Sequence, residues 1–274
     1  MNEFKMPTRD QNSNKGTFGK VLNFCGSKNY IGAAYLSTIS SLKIGAGLSA
    51  LASTDKVIRS VSTMLPEAVY LTREEGLKKF NNYTTILIGC GLGLDRTSLK
   101  FFKQLMNKLQ KETMPVVIDA DGLNLLAKFT PSHPFPFREG ALILTPHPME
   151  ASRLLKCSLE EILNDLENSA KRISIKYSCI TVLKTHRTII CNKDLTIHIN
   201  QHGNSALAKA GSGDVLAGII SGLLAQGVKP FDACKLGVYL HSKAGEIASK
   251  ELTEYSVLAS DIIKYLPHAI KELI

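Results

Sequence analysis

Tryptophan is absent from these 274 residues, and aromatic residues make up only 7% of them. So few rings argue against RNA-recognition modules, which stack bases on aromatic side chains. No C-x-x-C pair occurs among the six cysteines at 25, 90, 157, 179, 191 and 234. Cys25, Cys179 and Cys191 fall in apolar runs, so the cysteines read as buried thiols in a reducing compartment rather than disulfides or a metal site. Residues 1–20 lack the apolar stretch of a signal peptide. The longest nearly apolar segment, 215–228, is too short and too rich in glycine to span a bilayer. The expectation is a cytoplasmic protein with no membrane partner.

What is present is positive charge and glycine. Thirty-three Lys and Arg against 24 Asp and Glu give a net charge of +9. That favours an anionic partner, and because the lysines are scattered rather than clustered, a nucleotide or dinucleotide fits better than nucleic acid. Hydrophobic content of 44% is enough to bury a substantial core.

Apolar runs at 21–25, 67–71, 85–89, 116–119, 141–145, 180–184, 188–191 and 195–199 predict strands. Helical patterns cover 31–43, 97–111, 122–128, 149–156, 159–177, 214–226, 231–250 and 259–272. Strands alternating with helices imply an α/β fold with a mainly parallel sheet covered on both faces. The runs between 180 and 199 predict an antiparallel edge hairpin, and Pro131, Pro134 and Pro136 mark a loop. One domain over 1–274 accounts for the pattern.

Ligands of such sheets sit beyond the carboxyl ends of the strands, and polar or glycine-rich residues cluster there. Gly211, Ser212 and Gly213 crowd before Asp214, which opens a buried helix; their backbone N–H groups can face an anion. Asp214 is either an N-cap or a base for a hydroxyl about to attack a phosphate. Asp119 and Asp121 follow a strand and are candidates to hold Mg²⁺ through water, against an N-cap and turn. His147 stands between Pro146 and Pro148, which fix its backbone, with Glu150 three residues on; this suggests ligand contact. Lys184, Thr185, His186, Arg187 and Thr188 form a cationic turn, able to grip a phosphate or simply solvated. Asn204, Ser205, Ala206, Leu207, Ala208, Lys209 and Ala210 lead from there into the glycine loop.

Seven segments occur in order: K-G-T-F-G-K-V-L (15–22), G-S-x-x-Y-x-G-A-A (26–34), I-G-x-G-L-G (88–93), V-I-D-A-D-G-L-N (117–124), L-T-P-H-P-x-E (144–150), V-L-K-x-x-x-T (182–188) and G-N-x-x-L-A-x-x-G-S-G-D-V-L-A-G-I-I-S-G-L-L-A-Q-G (203–227). Together they resemble the ADP- or ATP-dependent NAD(P)H-hydrate dehydratases of the ribokinase-like superfamily. The resemblance implies a three-layer sandwich and repair of NADHX or NADPHX, nicotinamide coenzymes hydrated at C6. The hydroxyl is phosphorylated from ADP or ATP, and phosphate then leaves. It implies Asp214 as the base, with Gly211, Ser212 and Gly213 supplying backbone donors to the phosphoryl group. It sets the hydrate against Ala33, Gly91, His147 and Asp214, and the adenine nucleotide against 184–188 and 204–213, with Mg²⁺ on the phosphates. It further implies a homotetramer and an epimerase on a separate protein. Ser212 stands where the family carries threonine, and Met149 and Thr185 where it carries glycine. The rival expectation is a ribokinase-like vitamin kinase that releases a phosphorylated product.

Overall fold

The computed structural model describes residues 4–109, 112–129 and 142–274. Among these, nine strands form one sheet in the order β3-β2-β1-β4-β5-β6-β7-β8-β9. The strands are β1 (Lys20–Phe24), β2 (Leu48–Ser53), β3 (Val69–Thr72), β4 (Thr85–Ile88), β5 (Val116–Ile118), β6 (Leu142–Leu144), β7 (Ile180–Leu183), β8 (Ile189–Cys191) and β9 (Ile197–Ile199). β1 to β7 are parallel, while β8 and β9 extend the edge antiparallel. The edge hairpin expected over 180–199 is present, with its first strand paired into the parallel sheet.

Side chains alternate across the sheet, as the two-residue period of a strand requires. Leu87 and Val117 enter one core; Ile86, Ile88, Val116 and Ile118 enter the other. The first core lies under α1 (Ile31–Lys43), α2 (Asp55–Ser62), α9 (Ser212–Ala225), α10 (Pro230–Ser256) and α11 (Ala259–Lys271). The second lies under α3 (Arg73–Lys79), α4 (Arg96–Leu109), α5 (Asp121–Phe129), α6 (Pro148–Leu155), α7 (Leu159–Asn164) and α8 (Leu166–Tyr177). The result is the three-layer sandwich that the resemblance implies. No helix among the described residues is long and apolar enough to cross a membrane.

Three elements, β2, α2 and α3, have no counterpart in the sequence pattern. β2 reads Leu-Ser-Ala-Leu-Ala-Ser, too small and polar to stand out. It is buried because β1 and β3 pair with it on both sides. The Ser49 hydroxyl is satisfied by Ser41 Oγ at 2.7 Å and by the Asn23 amide, which donates at 2.8 Å. The single helix expected over 159–177 is two, because Asp165 leaves helical geometry and caps α8 by accepting the Asn168 N–H at 3.0 Å. The helix expected over 231–250 continues to Ser256, with a non-helical Thr253 near its end. The loop expected at Pro131, Pro134 and Pro136 lies outside the described residues.

Two glycines of the 203–227 run serve packing rather than a ligand. A Cβ on Gly218 would lie 2.3 Å from the Ser37 carbonyl oxygen, and one on Gly222 would lie 2.2 Å from an Ile44 methyl and 2.7 Å from the Ser41 carbonyl. Their bare backbone lets α9 approach α1 closely. Gly218→Ala is therefore expected to destabilise the protein by about 1–3 kcal/mol through overpacking, despite alanine's better helix propensity. Urea unfolding of the purified variant measures this, and an unchanged midpoint would show that the two helices can separate at no cost.

Candidate active site

The strand order reverses between β1 and β4, and an open α/β sheet binds ligands at such a switch, beyond the strands' carboxyl ends. The residues that follow β1, β4, β5, β6 and β7 are brought together there. Gly89 (φ 124°) lets β4 turn directly against the next strand end: a Cβ would fall 2.0 Å from the Asp119 carbonyl oxygen. Gly91 (φ 61°) does the same against α1, where a Cβ would meet the Cβ atoms of Tyr30 at 2.5 Å and Ala33 at 2.9 Å. Ala33 and Gly91 are thus neighbours. Ala120, after β5, adopts a left-handed φ of 50°, a strained conformation of the kind held at ligand sites.

Asp119 is 1% exposed. Its Oδ1 accepts from Lys184 Nζ at 2.6 Å and from the Thr145 hydroxyl at 2.7 Å; its Oδ2 accepts from the Cys90 thiol at 3.9 Å. The Lys184 ammonium lies 4.0 Å from the buried Glu150. Burial works against that ammonium, but Asp119 and Glu150 outweigh it and raise the Lys184 pKa. Burial also lifts the Glu150 carboxyl to about 7, against the pull of Lys184. Asp121 is the first residue of α5 rather than its cap, and its carboxylate accepts the Gly93 N–H at 2.8 Å, fastening two strand-end turns together.

Asp214 is the third residue of α9, after Gly211 (φ 90°) at the N-cap. Neither Gly213 nor Asp214 has an intrahelical acceptor for its N–H at that position. The Ser212 N–H already donates to the Lys209 carbonyl at 3.2 Å, which leaves Gly213 and Asp214 as the donors α9 offers. The Asp214 carboxyl is pushed up to about 7, first by burial and then by the Asp119 charge. A Cβ on Gly213 would lie 3.3 Å from Lys184 Nζ, so the glycine loop and the lysine share a wall.

That wall belongs to a cavity of about 880 Å³ lined by His147, Lys184, Thr185, His186, Arg187, Thr188, Asn204, Ser205, Leu207, Ala208, Lys209, Ser212 and Gly213 among others. Its size suits a nucleotide. Of the 204–213 segment, Ala206 is fully buried and turned into the core, while Ala210 and Gly211 do not line the cavity. A contact from Ala206 could come only through its backbone. Thr185 closes the cationic turn by donating its hydroxyl to the Arg187 carbonyl at 2.7 Å.

His147 is the N-cap of α6. Its Nδ1 accepts from the Met149 N–H at 3.1 Å and the Glu150 N–H at 3.4 Å, and Glu150 returns a bond to the His147 N–H at 2.9 Å. Nδ1 therefore carries no proton, and burial lowers the ring's pKa. The histidine is a capping residue and a cavity residue at once.

Three contributors carry no motif. Arg73 is buried and donates to the Gly26 and Leu92 carbonyls at 2.9 and 3.1 Å, clamping the turns after β1 and β4. His241, on α10, lies 3.1 Å from Ser212 Oγ and 3.0 Å from the Ser212 carbonyl, and burial lowers its pKa to about 4. It supports the glycine loop from below as a neutral ring. Cys90 occupies the open position of the I-G-x-G-L-G segment. No local pattern marks these residues, because each acts only through a partner distant in sequence.

An Asp119–Lys184 pair, a glycine loop ending in Asp214 and a nucleotide-sized cavity gather at the strand ends of a ribokinase-like fold. A family profile described as NAD(P)H-hydrate dehydratase matches residues 21–268. The chain is 34% identical to the ADP-dependent (S)-NAD(P)H-hydrate dehydratase of Bacillus subtilis, over 97% of this chain and 94% of that protein. It is 35% identical to the enzyme of the same name from Neisseria meningitidis, over 87% and 80%. A crystal structure of the Bacillus subtilis ADP/ATP-dependent NAD(P)H-hydrate dehydratase with ATP/Mg²⁺ superposes with a TM-score of 0.88 at 32% identity, covering 98% of this chain and 95% of that one. The chain belongs to the NAD(P)H-hydrate dehydratase family. It spans about half the length (52%) of the bifunctional NAD(P)H-hydrate repair enzyme of Moorella thermoacetica, to which it is 35% identical. Hydroxyethylthiazole kinase from Pyrococcus horikoshii shares the fold alone, at 12% identity and a TM-score of 0.66.

Proposed function

We propose that this chain repairs hydrated nicotinamide coenzymes, dehydrating the S epimer of NADHX or NADPHX at the expense of ADP or ATP. One observation carries the reading: an Asp214 carboxylate oxygen lies within 4.8 Å of the thiol of Cys90, the residue before Gly91, and Asp214 directly follows Gly213, which lines the cavity beside Lys184. A donor phosphate on one side and a hydroxyl on the other would both be within its reach. The nucleotide occupies the cavity, with Lys184 and the Gly213 and Asp214 N–H groups facing its terminal phosphate; the Ser212 N–H, engaged with Lys209, is not one of the donors.

Asp214 takes the proton of the C6 hydroxyl as that oxygen attacks the terminal phosphorus. The bond to the leaving phosphate oxygen breaks, releasing AMP from ADP or ADP from ATP. Backbone N–H groups and Lys184 stabilise the charge developing on the transferred group. Phosphate, a far better leaving group than hydroxide, then departs with the C6–O electron pair. The ring nitrogen's lone pair assists, and loss of a C5 proton restores the reduced ring.

The residues do not make a magnesium site of their own. Mg²⁺ takes oxygen ligands in near-octahedral geometry, whereas Asp119 is bonded to an ammonium and shares its cluster with a thiol. Asp121 is occupied by Gly93. A magnesium ion that accompanies the nucleotide is carried on the phosphates, and no step above runs through Asp119 or Asp121. We further place the protein in the cytoplasm as a homotetramer, which sedimentation of the purified chain would test.

Incubation with enzymatically prepared NADHX and ADP or ATP tests the reaction. Recovery of reduced-nicotinamide absorbance with one nucleotide cleaved per ring restored is expected. Accumulation of a stable phosphorylated product would instead identify a kinase.

His147 separates capping from ligand contact. His147→Ala is expected to cost about 1 kcal/mol of stability as well as substrate affinity, because an N-cap is lost. His147→Asn restores a cap and is expected to recover the melting temperature while KM stays raised. Recovery of both would make the imidazole purely structural.

A further inference from the structure

We propose that Cys90, Asp119 and Asp214 form a site for a thiophilic divalent cation of the zinc class, and that a cation bound there shuts the enzyme off by taking its base. The inhibitory half rests on the function proposed above; the binding half does not. Among the described residues, this is a group in which the sulfur and one oxygen of each carboxylate lie within 4.8 Å of one another. Cys90 Sγ and Asp119 Oδ2 are 3.9 Å apart. Zinc bonds of about 2.0–2.3 Å hold tetrahedral ligands about 3.5 Å apart, so the three side chains must draw together by up to about 1 Å to close on the ion.

Chemistry and charge both select the cation. Sulfur beside carboxylate favours zinc or cadmium over magnesium. A Cys90 thiolate, two carboxylates and the Lys184 ammonium leave two net negative charges, which one divalent cation cancels. Lys184 holds Asp119 through Oδ1, leaving Oδ2 turned toward the sulfur. Binding releases the thiol proton, and any proton on Asp214, to solvent. Of the three ligands Asp214 alone is partly exposed, so a cation enters past its side chain.

Cadmium serves as the probe, read by its ultraviolet sulfur-to-metal charge-transfer band on the full chain without substrate. We expect a one-to-one band that Zn²⁺ displaces and Mg²⁺ does not. The band should vanish in Cys90→Ala and persist in Cys157→Ala, which removes the partly exposed thiol elsewhere on the surface. Asp214→Asn should weaken Cd²⁺ at least ~10-fold, the scale on which metal sites respond to loss of one residue. Zn²⁺ inhibition, expressed against each protein's own metal-free rate, should need at least ~10-fold more metal in Cys90→Ala and in the closer isostere Cys90→Ser. A band undiminished in folded Cys90→Ala, or zinc sensitivity in either variant equal to that of the native protein, overturns the proposal. A cadmium band that behaves as described, in a protein that never dehydrates NADHX, would sink the proposed function and leave the site standing.

Discussion

Asp214→Asn is expected to lower hydrate turnover at least ~10²-fold, the scale for removal of a general base, while ADP still binds. The amide keeps the size of the side chain and the helix start, so the loss would be chemical. Isothermal titration with ADP beside the absorbance assay separates binding from turnover, and undiminished turnover removes the assigned base. The native enzyme adds a pH signature. With the carboxyl pushed up to about 7, kcat/KM should climb as pH rises through neutrality, and this limb should be absent from the residual activity of the variant. Stability runs the other way. The folded state holds a proton on Asp214 that the unfolded chain, at an ordinary carboxylate pKa, gives up. Stability from that protonated group is therefore full below about pH 4 and is lost as pH rises through about 7. At pH 8 the asparagine variant should melt above the native protein although it is nearly inactive. A lower melting temperature there would mean that the Asp214 charge is stabilising, and the burial argument would fail.

Lys184→Ala should be the most damaging single change to stability in the site, by about 3–5 kcal/mol, because it strands a buried carboxylate without its counter-ion. Asp119 is 1% exposed and the Lys184 side chain 19%, with 2.6 Å between their charged atoms. A surface pair would be worth no more than about 1 kcal/mol, so denaturant unfolding distinguishes the two situations clearly. The double variant Lys184→Met with Asp119→Asn should recover most of the loss, since it removes both charges together. Additive losses in that cycle would show that the two residues do not act as a pair. Nucleotide affinity should fall in both variants, because the ammonium faces the cavity whichever partner holds it.

The architecture was legible where hydrophobic strands are long and helices periodic. Parallel order, layering and the edge hairpin all follow from the apolar runs at 85–89, 116–119 and 180–184. β2 was not legible, since its serines and alanines are strand-like only when two neighbours and the Asn23–Ser49 bond satisfy them. The break at Asp165 was hidden for a related reason: helical periodicity continues across it, and only the side-chain cap on Asn168 marks the interruption.

Within the site, the sequence placed glycine, carboxylate, histidine and lysine at strand ends and put Asp214 at the head of a helix. It left open whether Asp119 faces a metal or an ammonium, and whether His147 caps or binds. The Asp119 question cannot be answered by chain-local chemistry, because the answer is a distance to a residue tens of positions away. Lys184 is 65 residues from Asp119, and His241 is 29 from Ser212.

By itself, then, the amino-acid order determined the layered α/β fold, the rim on which chemistry gathers, and family membership, because motif spacing and residue type are carried by the chain. The tertiary structure alone decided which charges neutralise one another, that two glycines of α9 serve helix packing, and that a thiol stands beside the carboxylates. Those outcomes depend on burial and on angstrom-scale approach between distant segments, quantities that exist only once the sheet has brought its strand ends together.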